Sequence, residues 1–217
     1  MTLKLPEYPY IRKRRMLHAL DYACQQCTMC ALGHNSVRDK DPHIFSNINP
    51  KRFIILTQNP GWTELVQGTP LIDQAGDNLG SELYRNGLSR DDFYITNLVK
   101  CYSDRPNTDN MNACDPFLRM EFKLIEPLIV VALGPVVFGR LCPDSAFLES
   151  VGKITYSSVY NVNVYSTFHP LTRNLAGRRK EFDGHIDKLC KLVKALKSRH
   201  DLDLDPDYDS SVITTES

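Results

Sequence analysis

The sequence lacks any long hydrophobic run. No window of its 217 residues approaches 18 uninterrupted apolar positions, which excludes a membrane-spanning helix. The basic run at residues 12–15 is followed by no apolar stretch and is therefore not a secretory signal, so we expect a cytoplasmic protein without membrane contact. Hydrophobic residues make up 42% and charged residues 24% of the chain, as in an ordinary globular protein.

The chain also lacks net charge, because 26 Lys and Arg balance 26 Asp and Glu. Six of the acids follow residue 199, where no Lys or Arg occurs, which leaves 26 basic against 20 acidic residues in the rest. We predict one domain over residues 1–199 and a disordered acidic tail over residues 200–217, since alternating aspartates have almost nothing to bury. A moderately basic domain permits a phosphate-rich partner without requiring one.

Cysteine is plentiful, with seven residues in a chain that carries no secretory signal. This argues against a disulfide scaffold and for metal or redox chemistry. Cys24, Cys27 and Cys30 form overlapping C-x-x-C units, while Cys101 and Cys114 lie 13 residues apart. Such a set suits either structural zinc or an iron–sulfur cluster. The remaining two, Cys142 and Cys190, stand alone in apolar surroundings and are predicted to be buried core thiols.

Buried strands alternate with helices along the chain. Apolar and β-branched runs predict strands at residues 52–57, 93–96 and 128–133 and a hairpin around Asn161 within residues 151–168. Helices are predicted at residues 10–26, 77–86, 115–125 (with Pro116 in the first turn), after Gly134-Pro135 and at 178–197; the segments up to Gly76 and over 102–112 are predicted loops. This alternation indicates the α/β class, as a three-layer sandwich with a mostly parallel central sheet flanked by helices.

Polar clusters follow three of the predicted strands. Gln58-Asn59-Pro60-Gly61 follows the first strand, Asn97 the second and His169-Pro170 the last. Ligands bind at the carboxyl ends of the strands in such sheets, and these ends share one edge. Each cluster alone is more typical of a turn, a loop cap or a strand end than of a site, so their shared edge is what predicts a site.

Six segments, in the right order, resemble the motifs of the family-4-type (iron–sulfur) uracil-DNA glycosylases. The opening Cys27-Thr28-Met29-Cys30-Ala31-Leu32 resembles C-x-x-C-x-L, and residues 68–76 (GTPLIDQAG) align with G-x-P-F-V-G-x-A-G. The other four are residues 94–101 (YITNLVKC), like Y-I-T-N-x-V-K-C; 114–118 (CDPFL), like C-x-P-F-L; 129–134 (IVVALG), like I-V-x-A-L-G; and 167–170 (TFHP), like T-y-H-P.

The resemblance implies a DNA glycosylase of the uracil-DNA glycosylase fold that hydrolyses the N-glycosidic bond of uracil, or of a related or modified pyrimidine, and leaves an abasic site. We expect a monomer that acts on single- or double-stranded DNA. The resemblance assigns a 4Fe-4S cluster to Cys27, Cys30, Cys101 and Cys114. Structural zinc stays open as the alternative, and Cys24 is an extra thiol that could substitute for Cys27.

The resemblance also implies roles for individual residues. His169 would donate a hydrogen bond to O2 of the departing base, and Asn59 or Gln58 would hold the attacking water. Base binding falls to Asn97, which can pair with the pyrimidine edge, to Leu71 and to the turn at Gly61. The expected phosphate contacts are Lys100, Arg105 and Arg173, each of which is equally typical of a solvated surface charge.

Departures from the family pattern leave the substrate open. Residues 57–61 (TQNPG) replace G-E-A-P-G and are nearer the G-x-N-P-G of the mismatch-specific thymine/uracil branch. Leu71 replaces a stacking phenylalanine, and Leu171 replaces the serine of H-P-S. Two alternatives follow: a glycosylase for a modified pyrimidine, for which Leu71 makes room, or a catalytically degenerate DNA- or protein-binding relative.

Overall fold

The computed structural model describes residues 9–35 and 50–200. The acidic tail from residue 201 onward lies outside the described residues. The helices are α1 (Pro9–Gln25), α2 (Ala31–Asn35), α3 (Trp62–Gln67), α4 (Gln74–Arg85), α5 (Thr108–Ile125), α6 (Pro135–Leu141), α7 (Phe147–Ser150) and α8 (Arg179–His200). The strands are β1 (Phe53–Thr57), β2 (Tyr94–Asn97), β3 (Ile129–Leu133), β4 (Ile154–Ser157) and β5 (Val162–Thr167). Two 3-10 turns cover Arg90–Asp92 and Pro170–Asn174.

The five strands form one sheet in the order β2-β1-β3-β5-β4. β1 pairs in parallel with β2 and β3, β3 pairs in parallel with β5, and only the edge strand β4 is antiparallel. Every residue of β1, β2 and β3 is buried. Parallel strands that are covered on both faces have continuously apolar sequences for this reason. The predicted α/β sandwich with a mostly parallel sheet is confirmed.

Two hydrophobic cores cover the two faces of this sheet. One core packs Leu17 of α1, Leu118 of α5 and Phe138 of α6 against the sheet. The other packs Leu83 of α4 and a row along α8 that includes Phe182 and Leu189. The helices thus form two outer layers, and no helix in the described part of the chain is long and apolar enough to cross a membrane.

Helix α5 begins seven residues earlier than predicted, so Pro116 lies inside the helix rather than in its first turn. Asn107 and Asn110 cap each other: the side chain of Asn107 accepts the Asn110 N–H at 2.9 Å, and the side chain of Asn110 accepts the Asn107 N–H at 3.0 Å. Pro116 removes the N–H that Asn112 would receive, and Asn112 is exposed, so water can bond to its carbonyl instead.

The segment up to Gly76 also differs from its prediction as a loop, because it contains α3 and because α4 begins at Gln74 rather than at residue 77. An acidic side chain caps the start of each of these two helices. The Glu64 carboxylate accepts the Gly61 N–H at 2.6 Å at the start of α3, and Asp73 accepts the Ala75 N–H at 2.9 Å at the start of α4.

A fully buried ion pair joins β2 to α5. Lys100 Nζ contacts Glu121 Oε2, and the two side chains are 1% and 0% exposed. Lys100 Nζ also donates to Thr96 Oγ1 and to the Asn97 carbonyl, each at 2.7 Å. The Tyr94 and Thr96 hydroxyls donate to Glu121 Oε1 at 2.8 and 2.7 Å. This network satisfies both charges and fixes the end of β2 against α5.

Breaking this pair should be costly. Glu121→Gln keeps the shape of the side chain but leaves the Lys100 ammonium buried without a counter-charge. We expect the free energy of unfolding to fall by about 3 to 5 kcal/mol, measured by urea denaturation. Lys191→Ala, which removes an exposed pair with Asp187 on α8, should change it by less than about 0.5 kcal/mol. A loss under about 1 kcal/mol for Glu121→Gln would show that water reaches Lys100.

Candidate active site

A cleft of about 520 Å³ opens at the carboxyl edge of the parallel strands. Its walls come from the segments that follow β1, β2, β3 and β5 and from the turn that leads into α4. The cleft brings together five of the sequence-predicted site residues, which are Gln58, Asn59, Gly61, Leu71 and His169. The shared strand edge therefore gathers side chains that lie 110 residues apart in the sequence.

Asn59 is held in place by its own amide nitrogen. Asn59 Nδ2 donates to the carbonyl of Ser103 at 2.7 Å and to that of Pro60 at 3.0 Å. An amide nitrogen carries two hydrogens, so both are used. The carbonyl oxygen Oδ1 accepts no hydrogen bond from the described residues and is left to bind water or a ligand.

His169 presents one defined tautomer to the cleft. It precedes the 3-10 turn Pro170–Asn174, and its Nδ1 accepts the Leu171 N–H at 3.3 Å. Burial lowers the pKa of His169, and the charge of Asp73 opposes that shift. The imidazole is therefore neutral at neutral pH, with its proton on Nε2, where it can serve as a hydrogen-bond donor.

Leu71 has a left-handed backbone conformation, with φ of 51°, which is uncommon for a side chain of this size. Its N–H is accepted by Glu64 Oε1, and its carbonyl is bound by the Arg90 guanidinium, which also binds the carbonyl of Pro70. A Cβ on Gly76 would lie 1.8 Å from the Leu71 carbonyl oxygen, so only glycine fits there. These contacts fix Leu71 as a buried aliphatic wall of the cleft.

Asn97 lies one residue layer away from the cleft. It is 2% exposed and accepts a hydrogen bond from the hydroxyl of Thr57, its register partner, and Thr57 in turn lines the cleft. Asn97 is a predicted base-binding residue, but it does not line the cleft and does not lie between Asn59 and His169. The strand order puts β2 at the edge of the sheet, so β1 with Asn59 lies between Asn97 and β5.

The three predicted phosphate contacts lie in different environments in the structure. Lys100 is buried and paired with Glu121, so its interpretation as a phosphate contact is wrong. Arg173 binds Glu82 at 2.5 Å and Asp183 at 2.7 Å, and its side chain is 10% exposed, which leaves it little surface for a phosphate. Arg105 is exposed in the segment after β2, where a phosphate can reach it.

Sequence reasoning missed several side chains of the cleft. Trp62 and Tyr102 form an edge-to-face pair at its rim, with ring centroids 5.7 Å apart. Three carboxylates, Glu64, Asp73 and Asp104, also line it. The spacing of Gly61 and Glu64 is that of a helix start, which was the one available signal; acids in polar loops otherwise look like surface charges.

The thiols separate into two groups. Cys114 is buried, and burial raises the pKa of its thiol. The Lys100 N–H points to Cys114 Sγ at 3.4 Å. Cys24 is 1% exposed in the core beside α5, and the predictions of Cys142 and Cys190 as buried core thiols are confirmed. No group of three or more metal-ligating side chains is assembled as a metal site within residues 9–35 and 50–200.

Comparison with known proteins identifies the family. Residues 43–193 match the family model described as the uracil DNA glycosylase superfamily. The chain is 32% identical over 161 residues to the type-4 uracil-DNA glycosylase of Saccharolobus solfataricus, covering 68% of this chain and 70% of that one. It is 28% identical over 191 residues to the type-4 enzyme of Thermotoga maritima, covering 84% and 97%. A type-5 uracil-DNA glycosylase of Pyrobaculum aerophilum is 32% identical over 125 residues, covering 48% of this chain and 53% of that enzyme. The chain belongs to the uracil-DNA glycosylase superfamily.

Proposed function

We propose that the protein is a DNA glycosylase that hydrolyses the N-glycosidic bond between a pyrimidine, uracil first of all, and its deoxyribose, leaving an abasic site. The observation that carries this proposal is the meeting of a neutral His169 and an Asn59 carbonyl oxygen in one cleft, in a chain of this superfamily. Its volume is in the range of ordinary small-ligand pockets.

The leaving base is where His169 acts. An enzyme of this kind takes the base out of the DNA stack, and bond cleavage leaves negative charge on the pyrimidine while the sugar becomes oxocarbenium-like. His169 Nε2–H would donate to O2 of the base, and the bond would strengthen as charge develops there. A neutral imidazole suits this task because it stabilises the anion without first having to gain a proton.

The attacking water is the task of Asn59. Its Oδ1 would accept one hydrogen of the water, and the bonds from Nδ2 to Ser103 and Pro60 would hold that oxygen in place. Gln58 lines the same cleft and is the rival for this role.

Asn97 does not line the cleft, so in this proposal it supports base binding through Thr57, which does line it. The Thr57 hydroxyl donates to Asn97 Oδ1, and this bond would hold Thr57 in place beside the pyrimidine. Leu71 gives the cleft an aliphatic wall, where a phenylalanine would give it a flat aromatic one. This favours a second candidate substrate, a pyrimidine that carries a substituent.

We also propose that Cys27, Cys30, Cys101 and Cys114 hold a 4Fe-4S cluster. The donor set fits, because four thiolates complete the coordination of such a cluster and Cys114 Sγ lies 3.4 Å from the backbone nitrogen of Lys100, the residue before Cys101. Gly33 supports the fit: a Cβ there would lie 2.4 Å from the Cys27 carbonyl oxygen, so the turn that carries Cys27 and Cys30 is tightly closed. The cluster would tie the end of α1 to the segment after β2, a structural task.

Release of a free base is the direct test of the function. Oligonucleotides that carry uracil, thymine opposite guanine or a 5-substituted pyrimidine would be incubated with the protein and treated with alkali, which breaks the strand at abasic sites. We expect cleavage of the uracil strand, and cleavage of a 5-substituted strand would support the second candidate. If the protein binds these strands but cleaves none of them, it is a DNA-binding relative.

The roles of His169 and Asn59 predict distinct losses. His169→Ala should lower the single-turnover rate by about 100-fold or more, as removal of an oxyanion donor does. Asn59→Ala should slow the same step with little change in DNA affinity, and Gln58→Ala compared beside it decides which amide holds the water. His18→Ala, at an exposed position of α1, serves as the control and should keep the full rate. Full activity in both His169→Ala and Asn59→Ala would refute the mechanism.

A 4Fe-4S cluster would give the protein a brown colour and a measurable iron content. Protein purified without oxygen should be brown and contain about four irons and four sulfides per chain. Cys114→Ala should lose the colour and most of the iron, whereas Cys190→Ala, a buried thiol in the opposite core, should keep both. Colourless protein with one zinc per chain would contradict the iron assignment and leave a zinc site in its place.

A further inference from the structure

The proposed reaction leaves one proton without an acceptor. Water that attacks the sugar must lose a proton, and an amide such as Asn59 or Gln58 orients water but is a poor base. His169 Nδ1 already accepts the Leu171 N–H, and its Nε2 carries a proton. The acceptor therefore has to be another group of the cleft, and carboxylates are the other bases that line it.

Two of the three carboxylates of the cleft are poorly suited to accept this proton. Both oxygens of Glu64 accept backbone N–H groups, from Gly61 and from Leu71, and burial raises its pKa. Asp104 lies exposed at the rim and accepts the Tyr102 hydroxyl at 2.6 Å. Glu64 therefore has no free oxygen, and Asp104, with one oxygen free of hydrogen bonds from the described residues, is exposed to solvent.

Asp73 is different because it combines a free oxygen with partial burial in the cleft. Oδ1 accepts the N–H groups of Ala75 and Gly76, at 2.9 and 3.5 Å, and so caps α4. Oδ2 accepts no hydrogen bond from any residue that the structure describes. The side chain is half-buried and lines the cleft, near enough to His169 for its charge to act on that imidazole.

We propose that Asp73 is a catalytic residue, the general base that removes a proton from the attacking water. The inference rests on the proposed function. Oδ2 would take one proton as the water oxygen bonds to C1′ of the sugar and the bond from C1′ to the base breaks. The electron pair of that bond leaves with the base, whose O2 is bound by His169. The proton on Asp73 then passes to the departing base, which restores the carboxylate.

The negative charge of Asp73 would also stabilise the sugar in the transition state. An oxocarbenium-like sugar carries positive charge, and a carboxylate beside it lowers the energy of the transition state. The capping bonds to Ala75 and Gly76 hold Asp73 in one orientation, so no reorganisation is needed when that charge develops.

Asp73→Asn tests the proposal with the cap preserved, because asparagine caps helices as well as aspartate does and its oxygen can still accept from Ala75. We expect the single-turnover rate of uracil release to fall by about 100-fold or more, as loss of a general base does. The affinity for uracil-containing DNA and the midpoint of thermal unfolding should stay at their wild-type values. Asp104→Asn is the matched control, an exposed carboxylate at the rim of the same cleft, and should keep its rate within about twofold of wild type.

Each other outcome decides against the proposal. If Asp73→Asn keeps a rate within a few-fold of wild type, Asp73 is a helix cap only. If the rate falls together with thermal stability in Asp73→Asn and also in Asp73→Ser, the loss belongs to the cap. In both cases wild-type protein still releases base, so the proposed function stands and only this inference fails. Wild-type protein that releases no base from any strand overturns the proposed function and this inference together.

Discussion

Parallel pairing is the constraint on which the site depends. When β1, β3 and β5 run in the same direction in adjacent positions, their carboxyl ends must lie at one edge, whatever the distance between them in the sequence. That edge is where the backbone stops pairing and side chains become free to face a ligand. Asn59 follows β1 and His169 follows β5, and β3 between them ends in the turn at Gly134, which contributes a wall of the cleft.

The loops at this edge are held by hydrogen bonds between polar groups. Without these partners, the same groups would be costly to bury. Glu64 and Arg90 bind the backbone of Leu71 from its two sides and support its left-handed conformation. Gly76 allows the close approach that this conformation needs. The result is a wall fixed before any ligand arrives, and such preorganisation is what lets hydrogen-bond donors stabilise a transition state.

The sequence predicted the sheet well because three of its strands, β1, β2 and β3, are buried along their whole length. The runs FIILT and IVVAL are continuous and apolar, and Asn161, with φ of 57°, marks the hairpin before β5. The start of α5 was missed because its capping residues, Asn107 and Asn110, have the composition of a loop. Lys100 was misinterpreted because a lysine is ordinarily a surface charge, and its partner Glu121 lies 21 residues away on another element. Such an ion pair depends on the tertiary structure and cannot be predicted from local sequence patterns.

The central claim is that a pyrimidine occupies the cleft with its O2 against His169. Free uracil titrated into protein labelled with nitrogen-15 at its histidines tests this claim by NMR, with the His169 signals assigned from a His169→Gln sample. The account predicts a neutral His169 protonated at Nε2, whose Nε2 resonance moves with uracil while those of the other five histidines stay in place. Uracil that binds without moving the His169 resonance, or a His169 that is protonated at Nδ1, would contradict it.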